Sequence, residues 1–243
     1  MLFRYLSDLY HAQVAKWRAP KTENRIDSAA SPATTEDTLE LAPVLPIPKT
    51  IENSVSTTVF QASKGNITVY PGDAIVNAAN SALMPGGGVC GAIFNASDFD
   101  QLEEACIQLN GCPTGQAKIT PSFGMQAPWI VHAVGPVWEG GDKNEPALLA
   151  GAYRNSLEQA HLVGARSIAF PAISTGIYGY PLVEATAVAV ATINAYTQEH
   201  PDHFDAIDVL CFDDKTLNCY RNAMAVKSQT LAGSINMTEP MSL

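Results

Sequence analysis

The sequence predicts an α/β fold: a three-layer α/β/α sandwich around a largely parallel or mixed central sheet, preceded by an N-terminal helical and extended arm. Three observations predict it. From about residue 54, short apolar runs that read as buried strands alternate with longer amphipathic segments. The chain has 243 residues, enough for one sizeable core or at most two small ones. Hydrophobic residues make up 47% and charged residues 16%, so most of the chain is expected to fold.

The elements follow in order. Phe3, Leu6, Tyr10, Val14 and Trp17 recur at spacings of three and four, which predicts a short amphipathic helix. After Pro20 the stretch DSAASPATTEDTLELAPVLPIPKT reads as a linker. Residues 1–50 are therefore set apart from a folded domain at 51–228 and a loose tail at 229–243. Within the domain, STTVFQA, GDAIVNAA, WIVHAVGPV, RSIAFPAI and AIDVLCF read as strands. FDQLEEACIQL, PALLAGAYRNSLEQAHLVG, LVEATAVAVATINAYTQEH and DKTLNCYRNAMA read as helices, the third entered after Pro181. In such sheets ligands sit at the carboxyl ends of the strands.

Charge and cysteine content exclude several function classes. The net charge is −10 and the pI near 4.8. Residues 1–50 hold six basic and six acidic residues, so all of the excess lies beyond them. An acidic domain is a poor match for nucleic-acid backbone. No apolar run reaches the roughly 18 residues of a membrane span. The first 25 residues lack the continuous apolar core of a secretory signal, and Asp8 and Glu23 count against a transit peptide. The helix expected there packs on its own domain or a partner, or redirects the chain. The five Cys (90, 106, 112, 211 and 219) form no CxxC pair, which argues against a disulfide framework or a structural zinc site. Reduced thiols in a cytoplasmic compartment, a monomer and no metal are the simplest expectations.

Two loops are rich in glycine: NAANSALMPGGGVCGAIF (77–94) and PAISTGIYGYP (171–181). Each follows a buried strand and leads into a helix. Backbone N–H groups of such loops, helped by a helix N-terminus, bind anions. Neither loop contains Lys or Arg. Either loop alone reads equally as a tight turn, but two in the same context predict a diphosphate held between them. Gly86, Gly88 and Gly91 also fit G-x-G-x-x-G. However, the first glycine comes nine residues after Asn77, and about twenty residues on the chain is in a helix, so a dinucleotide fold is not expected.

The segments KGNIT (64–68), DAIVNAAN (73–80), GGGVCGAIF (86–94), PTGQAKIT (113–120), VHAVGPVW (131–138) and AFPAISTGIYGYP (169–181) together resemble the macrodomain family. They are most similar to its branch of MacroD-type ADP-ribosyl hydrolases and bacterial O-acetyl-ADP-ribose deacetylases, over about residues 54–226. The resemblance implies an ADP-ribose-binding hydrolase that acts on mono-ADP-ribosylated acidic side chains, on O-acetyl-ADP-ribose, or on both. Those conjugates are its implied partners, and it implies no cofactor. It implies Asn80, Cys90 and Tyr178 as catalytic positions. It implies ligand contacts at Asn66 and Ile67, at Gly86, Gly87, Gly88, Val89, Cys90 and Gly91, at Ser174, Thr175, Gly176, Ile177 and Tyr178, and at Phe212. Four of these have a plainer reading: Phe212 as core, Tyr178 as a loop anchor, Asn80 as a turn residue bonding its own backbone, and Cys90 as a small wall of the pocket. Asn77 is expected to brace the first loop.

The chain departs from that pattern at two places. Many members carry Asp, which binds the adenine amino group, where Asn66 stands; the Asn66 carbonyl oxygen could still accept that bond. The MacroD-type Asp and His are here Cys90 and Phe94. The resemblance therefore implies water attack assisted by the substrate's own diphosphate, with Asn80 positioning the ribose. A Cys90 thiolate served by His132 is an alternative mechanism, although VHAVG reads as an interior strand with a core His bonded to backbone. A non-catalytic ADP-ribose reader is the alternative function.

Overall fold

Ile75, Val76, Ile168 and Ala169 have no exposed surface. They belong to strands β2 (Ala74–Ala78) and β5 (Ser167–Phe170), which lie side by side in the middle of the sheet. Strands buried on both faces carry apolar residues continuously, which is why these runs lack polar alternation. The computed structural model describes residues 58–235. Its sheet has six strands in the order β1-β6-β5-β2-β4-β3, with β1 at Val59–Lys64, β3 at Ala117–Pro121, β4 at Trp129–Ala133 and β6 at Ala206–Cys211. Five strands run parallel, and the edge strand β3 pairs antiparallel with β4.

Helices cover both faces. The helices are α1 (Val89–Ala96), α2 (Phe99–Gln108), α3 (Glu145–Leu162), α4 (Leu182–Glu199) and α5 (Asp214–Ile235). Side chains alternate along each strand. Ala74, Val76, Val131, Ile168 and Phe170 pack with Leu149, Tyr153, Ala189, Ile193 and Tyr220 of α3, α4 and α5. Ile75, Ile130 and Ala169 face the other way, against Cys90, Ile93, Phe94, Leu102 and Cys106 of α1 and α2. The expected sandwich with its mixed sheet is what forms.

The structure differs from the expectations at several boundaries. The strand β3 was not among the expected strands: it is short, ends in Pro121 and lies at an edge, where a proline is tolerated. Helix α1 occupies the second half of the first glycine loop, because Cys90, Ile93 and Phe94 bury one face of it. Strand β4 ends at Ala133 rather than running on to residue 137. Helix α5 continues through 229–235, where a loose tail was expected; no proline interrupts it before Pro240. The expected N-terminal helix and linker over 1–50, and residues 236–243, lie outside the described residues.

The amino-terminal edge of the sheet is closed by polar contacts. The Asp73 carboxylate accepts from the backbone N–H groups of Arg166 and Ser167, both at 2.8 Å. Arg166 pairs with Asp205 and also donates to the carbonyls of Asp202 and His203. Beside it the rings of His161, His203 and His200 form a stack, with centroid separations of 3.5 Å and 4.4 Å. This leaves the opposite, carboxyl edge for the two glycine loops.

Candidate functional site

Because β2 and β5 are hydrogen-bonded neighbours running parallel, the two loops leave the sheet side by side at its carboxyl edge. The first loop runs into α1. Its N-cap Gly88 has φ 62° and ψ −136°, a conformation that side chains disfavour, and it offers no side-chain cap. The amides of Gly87, Gly88, Val89, Cys90 and Gly91 have no acceptor among the hydrogen bonds of the described residues. A helix start with bare N–H groups attracts anions. In the second loop the amides of Gly176, Ile177 and Tyr178 are likewise unpaired, while Gly179 and Tyr180 donate to Gly176 and Ser174. The loops meet where Ile177 lies over Gly87: a Cβ added there would stand 3.2 Å from Ile177 Cδ1.

Gly91 is required by packing, since a Cβ on it would stand 2.6 Å from the Gly86 carbonyl oxygen. That approach folds the loop back on the first turn of α1. It brings Gly86 beside both Asn80 and Cys90.

Asn80 is partly exposed. Its Nδ2 donates to the Met84 carbonyl at 2.8 Å, and its Oδ1 accepts from the Met84 N–H at 3.2 Å. This is the turn geometry foreseen as the plainer reading, and it still leaves one amide hydrogen and one lone pair unused. Cys90 is buried. Its sulfur accepts from Asn77 Nδ2 at 3.7 Å, and its thiol faces the Met84 carbonyl at 3.9 Å. Burial pushes the Cys90 thiol up, more than the Asn77 and Gly86 contacts pull it down.

Asn77 and His132 stand opposite one another in the β2–β4 pairing, with Asn77 Nδ2 3.2 Å from His132 Nδ1. His132 Nε2 reaches Thr120 Oγ1 at 2.9 Å and Cys106 Sγ at 3.7 Å. Burial drives the His132 pKa down to about 3, so the ring is neutral at physiological pH. This corrects the sequence expectation: His132 is bonded to side chains rather than backbone, and its ring serves Asn77 rather than Cys90 directly. A neutral thiol without a direct base gives no support to a thiolate nucleophile.

The second loop is held from behind. Ser174 takes a left-handed backbone, φ 66°, and its hydroxyl is buried without a partner. It fills the space that Gly135 leaves by lacking a side chain. The Trp138 N–H donates to the Tyr178 carbonyl at 2.9 Å, and the Trp138 ring lies 4.5 Å from that of Tyr180. The loop bearing Trp138 is organised by the buried Glu145. Its carboxylate accepts from the N–H groups of Glu139 at 3.1 Å, Gly141 at 3.0 Å and Lys143 at 2.5 Å. Burial opposes that charge, but the backbone donors outweigh it and hold the carboxyl below its ordinary range.

The other expected residues fall as follows. Phe212, just beyond β6, is 92% exposed, so it is not core. Ile177 is 83% exposed, Val89 is half-buried, and Tyr178 is half-buried with its carbonyl as the loop anchor. Thr175 Oγ1 donates to the Ala172 carbonyl. The Ile67 side chain is buried in the lower core, so only its backbone can face a ligand. Asn66 caps a 3-10 turn at Ile67–Val69: its Oδ1 accepts from the Thr68 N–H and hydroxyl at 3.0 and 2.9 Å. The carbonyl expected to accept from a base is therefore taken, and the free group is the Nδ2 donor. Sequence reasoning missed Met84, Thr120, Gly135 and Glu145. Only Glu145, an acid at a helix start after GGDKN, carried a local signal. Among the described residues no group of three or more His, Cys, Asp or Glu side chains is placed to hold a metal ion. No described helix is long and apolar enough to cross a membrane.

Comparisons with known proteins find macrodomain relatives. A family model described as Macro domain matches residues 76–189. A Macro domain-containing protein of Ralstonia nicotianae is 49% identical over 170 residues, covering 70% of this chain and 96% of the relative. An O-acetyl-ADP-ribose deacetylase of Enterobacter cloacae is 45% identical over 171 residues, covering 69% of this chain and 94% of the relative. Among solved structures, an Oceanobacillus iheyensis macrodomain with ADP superposes with a TM-score of 0.68 at 35% identity, over 73% of this chain and 96% of that one. A Trypanosoma brucei macrodomain in complex with ADP-ribose superposes with a TM-score of 0.63 at 37% identity, over 67% and 68%.

Proposed function

Because the chain belongs to the macrodomain family, we propose that it binds ADP-ribose across its two glycine loops and hydrolyses ADP-ribosyl conjugates. The substrates are proteins mono-ADP-ribosylated on acidic side chains, O-acetyl-ADP-ribose, or both. The observation that carries the reading is the pair of bare amide rows on neighbouring parallel strands, at Gly87–Gly91 and Gly176–Tyr178. Two such rows suit two linked phosphates. The relative named as an O-acetyl-ADP-ribose deacetylase supports the hydrolytic class.

In this reading the diphosphate lies between the loops, with Ile177 and Val89 over it. The distal ribose meets Asn80 and Tyr178. The base lies against Phe212, whose exposed ring is free to stack, and meets the Asn66 amide and the Ile67 N–H. Asn80 has one donor and one acceptor left for ribose hydroxyls after binding Met84. Neither Cys90 nor His132 is poised to take a proton near neutrality. Water attack is therefore assisted by the substrate's own phosphate oxygens, and the protein contributes orientation and exclusion of bulk water.

That same neutrality favours a second reading, a binding module without turnover. The experiment that separates them incubates the purified chain with a glutamate-linked ADP-ribosylated protein and, separately, with O-acetyl-ADP-ribose. Release of ADP-ribose or acetate by wild type, lost in Asn80→Ala, supports the hydrolase. Tight ADP-ribose binding with no release from either substrate establishes the reader. Absence of both binding and release overturns both readings.

A further inference from the structure

A chain of hydrogen bonds runs from the edge of the sheet to the first loop. Thr120 on β3 contacts His132 on β4, which contacts Asn77 on β2, which contacts Cys90 on α1. The Cys90 thiol then faces the Met84 carbonyl, the same oxygen that accepts from Asn80 Nδ2. Thr120, Asn77 and His132 are fully or almost fully buried, and Cys90 is 4% exposed. Met84 and Asn80, at the loop end of the chain, are the members that solvent reaches.

The donor and acceptor roles follow from the chemistry of the groups. With the Asn77 amide placed so that Nδ2 faces His132, Nδ1 is the bare ring nitrogen and Nε2 carries the proton toward Thr120 Oγ1, while Asn77 Oδ1 is buried without a partner. The second Asn77 amide hydrogen points to the Cys90 sulfur. With Asn77 Nδ2 donating to it, the sulfur presents its S–H to Met84. Every member is uncharged, so the chain transmits orientation and polarisation and carries no proton. A residue that merely walled the pocket would need neither of these sulfur contacts.

We propose that Cys90 is a positioning residue: its thiol couples the buried Asn77–His132–Thr120 chain to the Asn80 amide through the Met84 carbonyl, and so fixes the direction in which Asn80 meets its ligand. The inference rests on the reading above for its consequence in turnover, but the coupling itself is measurable without any substrate.

The test uses the full chain, ¹⁵N-labelled, with the Asn80 side-chain amide resonance assigned. Cys90→Ala removes the link. Thr120→Val breaks the far end with an isosteric side chain. Thr186→Val is the control, because Thr186 Oγ1 is buried without a partner on the opposite face. The Asn80 amide resonance is expected to move in Cys90→Ala and Thr120→Val and to stay in Thr186→Val. An unmoved resonance in either of the first two variants overturns the coupling, whatever the turnover. An equal shift in the control also overturns it, as a general effect of core substitution. In the release assay Cys90→Ala is expected to lower turnover about tenfold with ADP-ribose affinity within about twofold, and Cys90→Ser to restore most of it. Cys90→Ser as slow as Cys90→Ala would point to thiol chemistry and sink the positioning role. Absence of turnover in wild type would count against the hydrolase reading alone, leaving the resonance data to decide the coupling.

Discussion

Ile177 rests on Gly87, so the two glycine loops touch through one exposed side chain and one missing one. A methyl group on Gly87 would stand 3.2 Å from Ile177 Cδ1, tight but against the flexible end of a side chain. Gly87→Ala is therefore expected to leave the melting temperature nearly unchanged and to weaken ADP-ribose binding by no more than about tenfold, whereas Gly87→Val weakens it further. Calorimetric titration beside thermal unfolding checks this; a large drop in melting temperature for the alanine variant would contradict it.

Gly91 behaves differently because its neighbour is backbone. A Cβ there would stand 2.6 Å from the Gly86 carbonyl, which cannot swing aside. Gly91→Ala is expected to destabilise the fold by roughly 1–3 kcal/mol, as overpacking does, and to impair the first loop as well. Denaturant unfolding of the variant against wild type measures the effect.

Acid is expected to act on stability before it acts on the chemistry. His132 has its pKa pushed down to about 3 by burial, from an ordinary 6.5. His203 is pushed down to about 4, by burial and then by the neighbouring His161, His200 and Arg166. Both groups bind more protons in the unfolded chain across that interval, so stability rises with pH from about 3 to 6.5 and is fully present above 6.5. The melting temperature is expected to fall as pH drops from 6.5 to 4. Turnover on the folded protein is expected to stay flat between about pH 6.5 and 8.5, because neither Cys90 nor His132 changes charge there. A sigmoidal rise in rate within that interval would reveal a base that the described site does not contain.

Salt is expected to matter little for binding. Neither glycine loop holds Lys or Arg, and the unpaired amides are dipoles rather than charges. Exposed ion pairs weaken over a Debye length of about 8 Å at physiological ionic strength, whereas fixed dipoles at contact distance are screened far less. The dissociation constant for ADP-ribose is expected to change less than about threefold between 50 and 500 mM salt. A change of tenfold or more would require a basic side chain to reach the ligand.

Alkylation gives a test of the cysteine environments. Cys90, Cys106, Cys112 and Cys211 are buried, and burial raises each thiol pKa, that of Cys106 to about 12. Cys219 is the partly exposed one. Brief iodoacetamide treatment of the native protein is expected to label Cys219 first, read by peptide mass mapping. Preferential labelling of Cys90 would restore the thiolate mechanism.

Much of the fold was legible because its signals are local. The buried runs at β2, β5 and β6 and the long amphipathic helices α3 and α4 announce themselves by composition and period. The strand β3 was not legible, since five residues ending in proline resemble a turn until β4 is there to pair with them. Helix α1 was hidden by its own glycine, which is needed for contact with Gly86 and not for flexibility. The two loops were visible as glycine clusters, but their adjacency depends on β2 and β5 pairing, which no local pattern encodes. The polar chain through Asn77, His132 and Thr120 crosses three strands and depends on register. The orientation of Asn66 depends on Thr68, two residues away, and the exposure of Phe212 on where the sheet ends.

The pairing of β2 with β5 makes the sheet a caliper. At their roots the loops are set apart by one strand spacing, about 4.8 Å, a distance fixed by backbone pairing rather than by loop sequence. Substitutions within the loops can alter how firmly each jaw grips, but the gauge between the jaws stays the same. On the proposed reading a single phosphate would engage one jaw, and a molecule carrying two linked phosphates would engage both. Size selection for the anion would then rest on the β-ladder rather than on loop sequence.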